Sequence, residues 1–317
     1  MNIAFLDAGT MDLGGDMDFS GLPGLGTYTA YEATAPEEVV TRGEGMDVLV
    51  VNKVRVGRRE MEALPGLKHI AVIAAGVDNV DVAAAEERGI RVTNVGGYGK
   101  YTVPQQAFAL ILALASRIVH YADDVDRGDW QKSSSFTLLR YPTFELAGKT
   151  LGIIGFGSIG RGAAEIAVGF RMGVRVYDRF PFEYPPYENE PLEAVLKGAD
   201  VVTIHAPLTE ETRNLIGADE LGMMKKGALL VNTGRGGIVD EAALLQSLES
   251  GHLGGAGLDV LAQEPPGDNL LINRRDLNLI ITPHSAWSAR EARQRLIDGV
   301  VDNIRSWQAG GRRNAVV

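Results

Sequence analysis

The 317-residue chain has no cysteine, which excludes disulfides, thiolate nucleophiles and cysteine-ligated metals. Nor is there an excess of positive charge. Lys and Arg number 31 against 41 Asp and Glu, and the formal net charge of −10 argues against a nucleic acid or an anionic membrane as partner. An anionic small molecule would need a local positive site. Long apolar runs are missing too: the longest candidate, residues 107–115, is too short to cross a bilayer. The opening Met1-Asn2-Ile3-Ala4-Phe5-Leu6-Asp7 lacks a basic stretch and meets an acid early, so it reads as a first strand rather than a signal peptide, and a cytoplasmic location is expected. No closely spaced His and carboxylate set suggests a metal site, and no internal repeat or low-complexity tail is found. What remains is ordinary globular composition, 45% hydrophobic and 23% charged, in a chain long enough for two domains with separate cores.

The most informative stretch is residues 149–178. Leu151, Ile153 and Ile154 form a short apolar run suited to a strand buried on both faces, and Gly155, Gly157 and Gly160 follow at G-x-G-x-x-G spacing. In that spacing the first glycine permits a sharp turn, the second lets backbone approach a pyrophosphate, and the third lets helix pack on strand. Amides at Ser158 and Ile159 would open the helix toward the phosphates. The helix is expected to close at Gly173, and the next strand ends in Asp178, 18 residues after Gly160. A carboxylate there accepts hydrogen bonds from the ribose of NAD and repels the extra phosphate of NADP. Arg179 beside it could receive a 2′-phosphate, so NAD is expected over NADP with that qualification.

Before this stretch, strands are expected at 3–6, 48–51, 70–74 and 90–95, with a fifth at 28–33, and helices at 36–42, 58–64 and 82–88. That alternation implies a parallel sheet covered on both faces. Residues 9–26, rich in Gly and Asp, read as a surface loop. Thr102 and Gln105 suggest a capping box, followed by a mostly apolar helix over 107–119 connecting two domains. Trp130 is either a core aromatic or a subunit contact. Four further strands, at 201–205, 228–232, 257–260 and 279–282, bring the second domain to six, and a helix over 240–248 stops at Gly251. A last helix over 289–307 can fold back on the first domain, making it discontinuous. The expected architecture is α/β: a substrate domain of residues 1–100 plus 286–317 and a dinucleotide-binding Rossmann domain of residues 101–285.

In open parallel sheets, function gathers beyond the C-terminal ends of the strands. Three such ends carry unusual polar residues: Asn232-Thr233-Gly234-Arg235, Asp259 with Glu264 five residues on, and Pro283-His284. Taken singly, each is an ordinary surface arginine, carboxylate or histidine. Together they suit reduction of a 2-oxo acid. Arg235 would grip the substrate carboxylate, His284 would give a proton to the carbonyl oxygen as hydride arrives, and Glu264 would bond the other ring nitrogen. His205 also ends a strand and is the nearest rival, but its Ala206-Pro207-Leu208-Thr209 continuation reads as a wall beside the adenosine half. His69, His120 and His252 fall in element interiors or turns.

The glycine fingerprint with Asp178, His205-Ala206-Pro207-Leu208-Thr209, Asn232-Thr233-Gly234-Arg235-Gly236-Gly237, Gly257-Leu258-Asp259-Val260 with Glu264-Pro265, and Pro283-His284 together resemble the D-isomer-specific 2-hydroxyacid dehydrogenases over almost the whole chain. Asn52-Lys53-Val54, Asn94 to Tyr98 and Ser285-Ala286-Trp287 look most like the glycerate dehydrogenase and hydroxypyruvate reductase branch. The resemblance implies two doubly wound domains, the Rossmann domain inserted in a flavodoxin-like one, with a cleft between them. It also implies Arg235, Glu264 and His284 as the catalytic set, and Gly76, Val77 and Trp287 at the substrate. Cofactor contacts would fall to Ser158, Ile159, Asp178, His205, Pro207, Thr212, Thr233, Gly234 and Asp259, with Val103 beside the nicotinamide. A homodimer built through the cofactor domains is implied as well. Gln106 and Gly96-Gly97 depart from residues common in the family and leave substrate choice open, while formate dehydrogenases and NAD-sensing corepressors share the architecture as alternatives.

Overall fold

A computed structural model describes all residues, Met1–Val317, in two compact units: Met1–Gly99 with Ser288–Val317, and Lys100–Trp287. In the first unit, β1 (Asn2–Phe5), β2 (Thr27–Ala30), β3 (Val48–Val51), β4 (His69–Val72) and β5 (Arg91–Thr93) form one sheet in the order β2-β1-β3-β4-β5, every neighbouring pair parallel. This is the flavodoxin-like order. Three short helices, α1 (Val39–Gly43), α2 (Arg58–Ala63) and α3 (Val82–Glu87), connect the strands. β3 and β4 are buried at every position, as strands covered on both faces must be. The 9–26 segment is less of a free loop than its composition suggests, because Met11 and Leu22 in it are fully buried.

The second unit opens with α4 (Thr102–Ser116) and α5 (Ile118–Asp126). The expected single helix over 107–119 is thus two, meeting at a 61° bend where Arg117 takes the left-handed φ of 54°. The expected capping box is also absent: Thr102 lies inside the helix, and its hydroxyl donates to the Ala286 carbonyl at 3.0 Å. No single helix is long and apolar enough to cross a membrane.

The sheet of this unit comprises β6 (Thr150–Ile154), β7 (Gly173–Tyr177), β8 (Val201–Ile204), β9 (Leu229–Asn232), β10 (Gly255–Leu258) and β11 (Leu279–Ile281), all parallel. Between them lie α6 (Ser158–Gly169), α7 (Leu192–Gly198), α8 (Ala218–Met223) and α9 (Glu241–Glu249). The helix expected to run to Gly173 stops at Gly169, and Gly173 begins β7. The strand count is six, in the order β11-β10-β9-β8-β6-β7. Its membership differs from the usual six-stranded dinucleotide sheet. The position outside β7 shrinks to one bridge between Val176 and Asn189, and β11 is added at the far edge.

Alternation along the strands divides the core. Leu151, Ile153, Val201, Leu229 and Val231 face α4 and α6, whereas Ile154, Val202, Ile204 and Leu230 face the layer of α7, α8 and α9. Fully burying one such aliphatic side chain is worth about 1.5–3 kcal/mol, so both layers are held by the same β-strands. The last helix, α10 (Arg290–Gln308), belongs to the first unit. It packs on β4, where Trp307 lies with its ring 5.1 Å from that of His69.

Candidate active site

The glycine turn is built as its spacing requires. Gly155 has φ 91°, a value that disfavours a side chain, and a Cβ on Gly160 would lie 2.1 Å from the Gly155 carbonyl oxygen. α6 therefore packs directly against the end of β6. The amides of Ser158 and Ile159 are unpaired donors at a helix start, and the side of Gly157 faces open space, so the turn fits a pyrophosphate. Asp178, just past β7, accepts from the amides of Phe156 at 2.6 Å and Phe180 at 2.9 Å. Those bonds aim the carboxylate across the turn and leave acceptor positions for a ribose.

Along the wall after β8, the Thr212 hydroxyl donates to the Pro207 carbonyl at 2.7 Å and accepts from the Thr209 amide at 2.7 Å. Its side chain fastens the loop around Pro207. His205 sits between two hydroxyls, with Nε2 3.1 Å from Thr203 Oγ1 and Nδ1 3.2 Å from Thr233 Oγ1. Burial pushes its pKa down to about 3, which keeps the ring neutral and without a proton to donate as general acid. Val103 is buried in the first turn of α4.

In the first unit, burial and the nearby Arg91 charge likewise lower the pKa of His69 to about 3. In the unfolded chain each histidine would take a proton near the ordinary value of 6.5. Their contribution to stability is therefore intact above pH 6.5 and is lost as pH falls toward 3, with His69 the larger contributor because it is fully buried. Thermal unfolding across that range should show a falling midpoint, with a shallower fall for His69→Gln. Parallel profiles for the two proteins would contradict this.

β9, β10 and β11 are neighbours in the sheet, so the loops leaving their C-terminal ends are neighbours too. The first carries Arg235. Asn232 braces it, with Oδ1 accepting from the Gly234 amide at 3.0 Å and Nδ2 donating to the Arg235 carbonyl at 2.9 Å. One guanidinium nitrogen of Arg235 donates to the Gly234 carbonyl at 2.9 Å, leaving other donors of its planar fork for a ligand.

The second loop carries Glu264 and the third His284, and the two meet: His284 Nδ1 is 2.6 Å from Glu264 Oε2. A carboxylate only accepts, so Nδ1 carries hydrogen and the ring presents Nε2 outward. Glu264 is held in turn by the Leu261 amide at 3.0 Å. His284 itself has the left-handed φ of 51°, pinned by its amide donating to the Asp259 carbonyl at 2.8 Å.

Asp259 has a part that the sequence does not display. Its buried carboxylate accepts from the amides of Ser285 and Ala286, both at 2.9 Å, and from the Thr282 hydroxyl. It thereby organises the loop that carries His284. Gln106 Nε2 lies 3.4 Å from that same Thr282 hydroxyl, which ties the residue departing from the family pattern to this network. Glu241 fastens the Glu264 loop, accepting from the Ala262 amide and the Asn269 side chain, both at 2.6 Å. Each partner is far away in sequence, and no local spacing announces it.

In the first unit, Gly76 and Val77 lie past β4, and their amides meet no protein acceptor. Past β3, the Asp7 carboxylate accepts from the amides of Asn52, Lys53 and Val54 at 2.9, 2.6 and 3.0 Å, which sets the course of that loop. Trp130 is half exposed, which removes the core reading for it, and its indole donates to the Phe136 carbonyl at 3.1 Å.

Residues 108–286 match the family model described as D-isomer specific 2-hydroxyacid dehydrogenase, NAD binding domain. The chain belongs to this family. As a whole, the dehydrogenase is 48% identical to the glycerate dehydrogenase of Methylorubrum extorquens over 291 residues, covering 91% of each chain. It is 36% identical to the hydroxypyruvate reductase of Blautia hydrogenotrophica, covering all of this chain and 99% of the other. Among solved structures it resembles an NADPH-dependent glyoxylate/hydroxypyruvate reductase from Sinorhizobium meliloti in complex with NADP and malonate. That likeness has a TM-score of 0.84 and 28% identity, over 100% of this chain and 96% of the other. The dehydrogenase thus has relatives of similar length as well as similar fold.

Proposed function

We propose that the enzyme interconverts a small 2-oxo acid, of the hydroxypyruvate or glyoxylate type, and its D-2-hydroxy acid. The observation that carries this reading is the 2.6 Å hydrogen bond between Glu264 and His284, on loops adjoining the one that bears Arg235. A reduced nicotinamide dinucleotide, held by the glycine turn and Asp178, would supply the hydride for the carbonyl carbon. Arg235 holds the substrate carboxylate through its fork and polarises the adjoining carbonyl. His284 Nε2 gives its proton to the carbonyl oxygen, and takes it back when the hydroxy acid is oxidised. Glu264 keeps the ring oriented through its bond to Nδ1. Trp287 packs at the substrate side chain. The glycerate dehydrogenase and hydroxypyruvate reductase relatives support this substrate class.

Formate, the substrate of a formate dehydrogenase, has no hydroxyl to deprotonate, and a binding module needs no proton donor, so the Glu264–His284 pair favours the 2-hydroxyacid dehydrogenase reading over both. A panel of 2-oxo acids mixed with NADH, followed by absorbance of the reduced cofactor, tests it: hydroxypyruvate or glyoxylate should be consumed, and a silent panel would sink the proposal. Glu264 orients the ring, so Glu264→Gln should lower kcat for reduction while leaving dinucleotide affinity near wild type, and an unchanged kcat would count against the pairing.

NAD is the expected cofactor, because a carboxylate at the end of the fingerprint's second strand, here Asp178, would repel the extra phosphate of NADP. A higher kcat/KM with NADPH than with NADH would reverse this choice. A homodimer through the second unit is part of the same reading, supported by the exposure there of Ile118, Val125, Trp130, Phe136 and Leu139, the last two at 92% and 87%. A solution mass of 34.0 kDa rather than twice that value would reject it.

A further inference from the structure

Arg179 follows Asp178 at the end of β7, and Glu211 lies in the loop after β8. In the sheet, β6 lies between these two strands. The 2.9 Å ion pair between Arg179 Nη1 and Glu211 Oε2 therefore joins the two loops that leave the strands on either side of β6. Both side chains are half exposed or more, and an exposed pair of this kind contributes little to stability, so its effect lies in where it holds the guanidinium.

The neighbouring backbone cannot set that position. Asn189 accepts from the Asp178 amide and donates to the Asp178 carbonyl, both at 2.8 Å, which fixes the main chain and leaves the Arg179 side chain to its partners. Those partners are the Phe180 ring, 5.4 Å from the guanidinium carbon, and the Glu211 carboxylate. The Thr209 hydroxyl, the Glu211 amide and Arg179 together hold the Glu211 carboxyl below the usual range, so it remains ionised at neutral pH.

We propose that Glu211 sets dinucleotide choice by holding Arg179 to the loop after β8, away from the place a ribose 2′-phosphate would occupy. This rests on the reading of residues 155–178 as a dinucleotide site. Asp178 would repel the phosphate, and Glu211 would withhold the one adjoining cation able to compensate for it. Freed of Glu211, Arg179 can turn toward the 2′ position and pair with phosphate through its fork.

The test is calorimetric titration with NAD and with NADP of the wild-type enzyme, Glu211→Gln, Arg179→Gln and the double variant. Glu211→Gln should improve NADP affinity relative to NAD by about two- to fivefold, since the gain cannot exceed what the exposed ion pair is worth. In the Arg179→Gln background the same change should produce no such gain. An unchanged ratio in Glu211→Gln would overturn the proposal. So would an equal gain in both backgrounds, since that would mark a diffuse field rather than a tether. If the wild-type enzyme binds neither dinucleotide, the cofactor-site reading itself fails and takes this one with it.

Discussion

His284→Gln should lower kcat for 2-oxo acid reduction by about 10²–10⁴-fold, the usual contribution of a positioned general acid, while leaving dinucleotide affinity close to wild type. The reason lies in how the ring is held. Its Nδ1 is committed to Glu264 at 2.6 Å, and its backbone is fixed by the Asp259 carbonyl, so Nε2 is the one ring atom presented for proton transfer. Glutamine has hydrogen-bonding capacity but no proton to release at neutral pH. The rival strand-end histidine cannot take over, because His205 is bonded at both nitrogens and kept neutral by burial. Steady-state kinetics with NADH and the best 2-oxo acid measure the effect. A variant retaining most of its kcat would remove His284 from the chemistry.

Arg235→Lys should lower kcat/KM by about 10²-fold despite preserving the charge, since a lysine cannot reproduce a two-point grip on a carboxylate. The surrounding loop is built for the longer, planar group: Asn232 bonds both Gly234 and Arg235, and the Gly234 carbonyl receives one guanidinium nitrogen. Arg235→Gln should cost more, because the only positive group assigned to the substrate on an acidic protein would be lost. The loss should be visible in KM as well as kcat, since in the proposed reaction this group holds the carboxylate in the ground state and polarises the adjoining carbonyl in the transition state. Equal kcat/KM in Arg235→Lys would mean that the fork is not used.

The parts of this molecule legible in its sequence are those specified by short spacing. Gly155, Gly157 and Gly160 are constrained by one turn and the helix packed on it, so the turn can be read without knowing anything distant. The strand-end residues Arg235 and His284 were likewise accessible, because parallel sheets bring their C-terminal ends to one edge. What escaped depends on partners far along the chain. The Thr102 hydroxyl suits a helix cap until the Ala286 carbonyl is seen beside it. The break at Arg117 has no glycine or proline to mark it within an apolar run. Asp259 follows a strand as expected, but its grip on Ser285 and Ala286 depends on β11 lying next to β10. The reduction of the edge beyond β7 to a single bridge is marked by no short spacing in the sequence.

The most direct measurement is to incubate the enzyme with hydroxypyruvate and NADH carrying deuterium at the transferable position of the nicotinamide, then determine where the label lies and the configuration of the product. Deuterium on C2 of D-glycerate is the predicted result. L-Glycerate, or a product without the label, would contradict it.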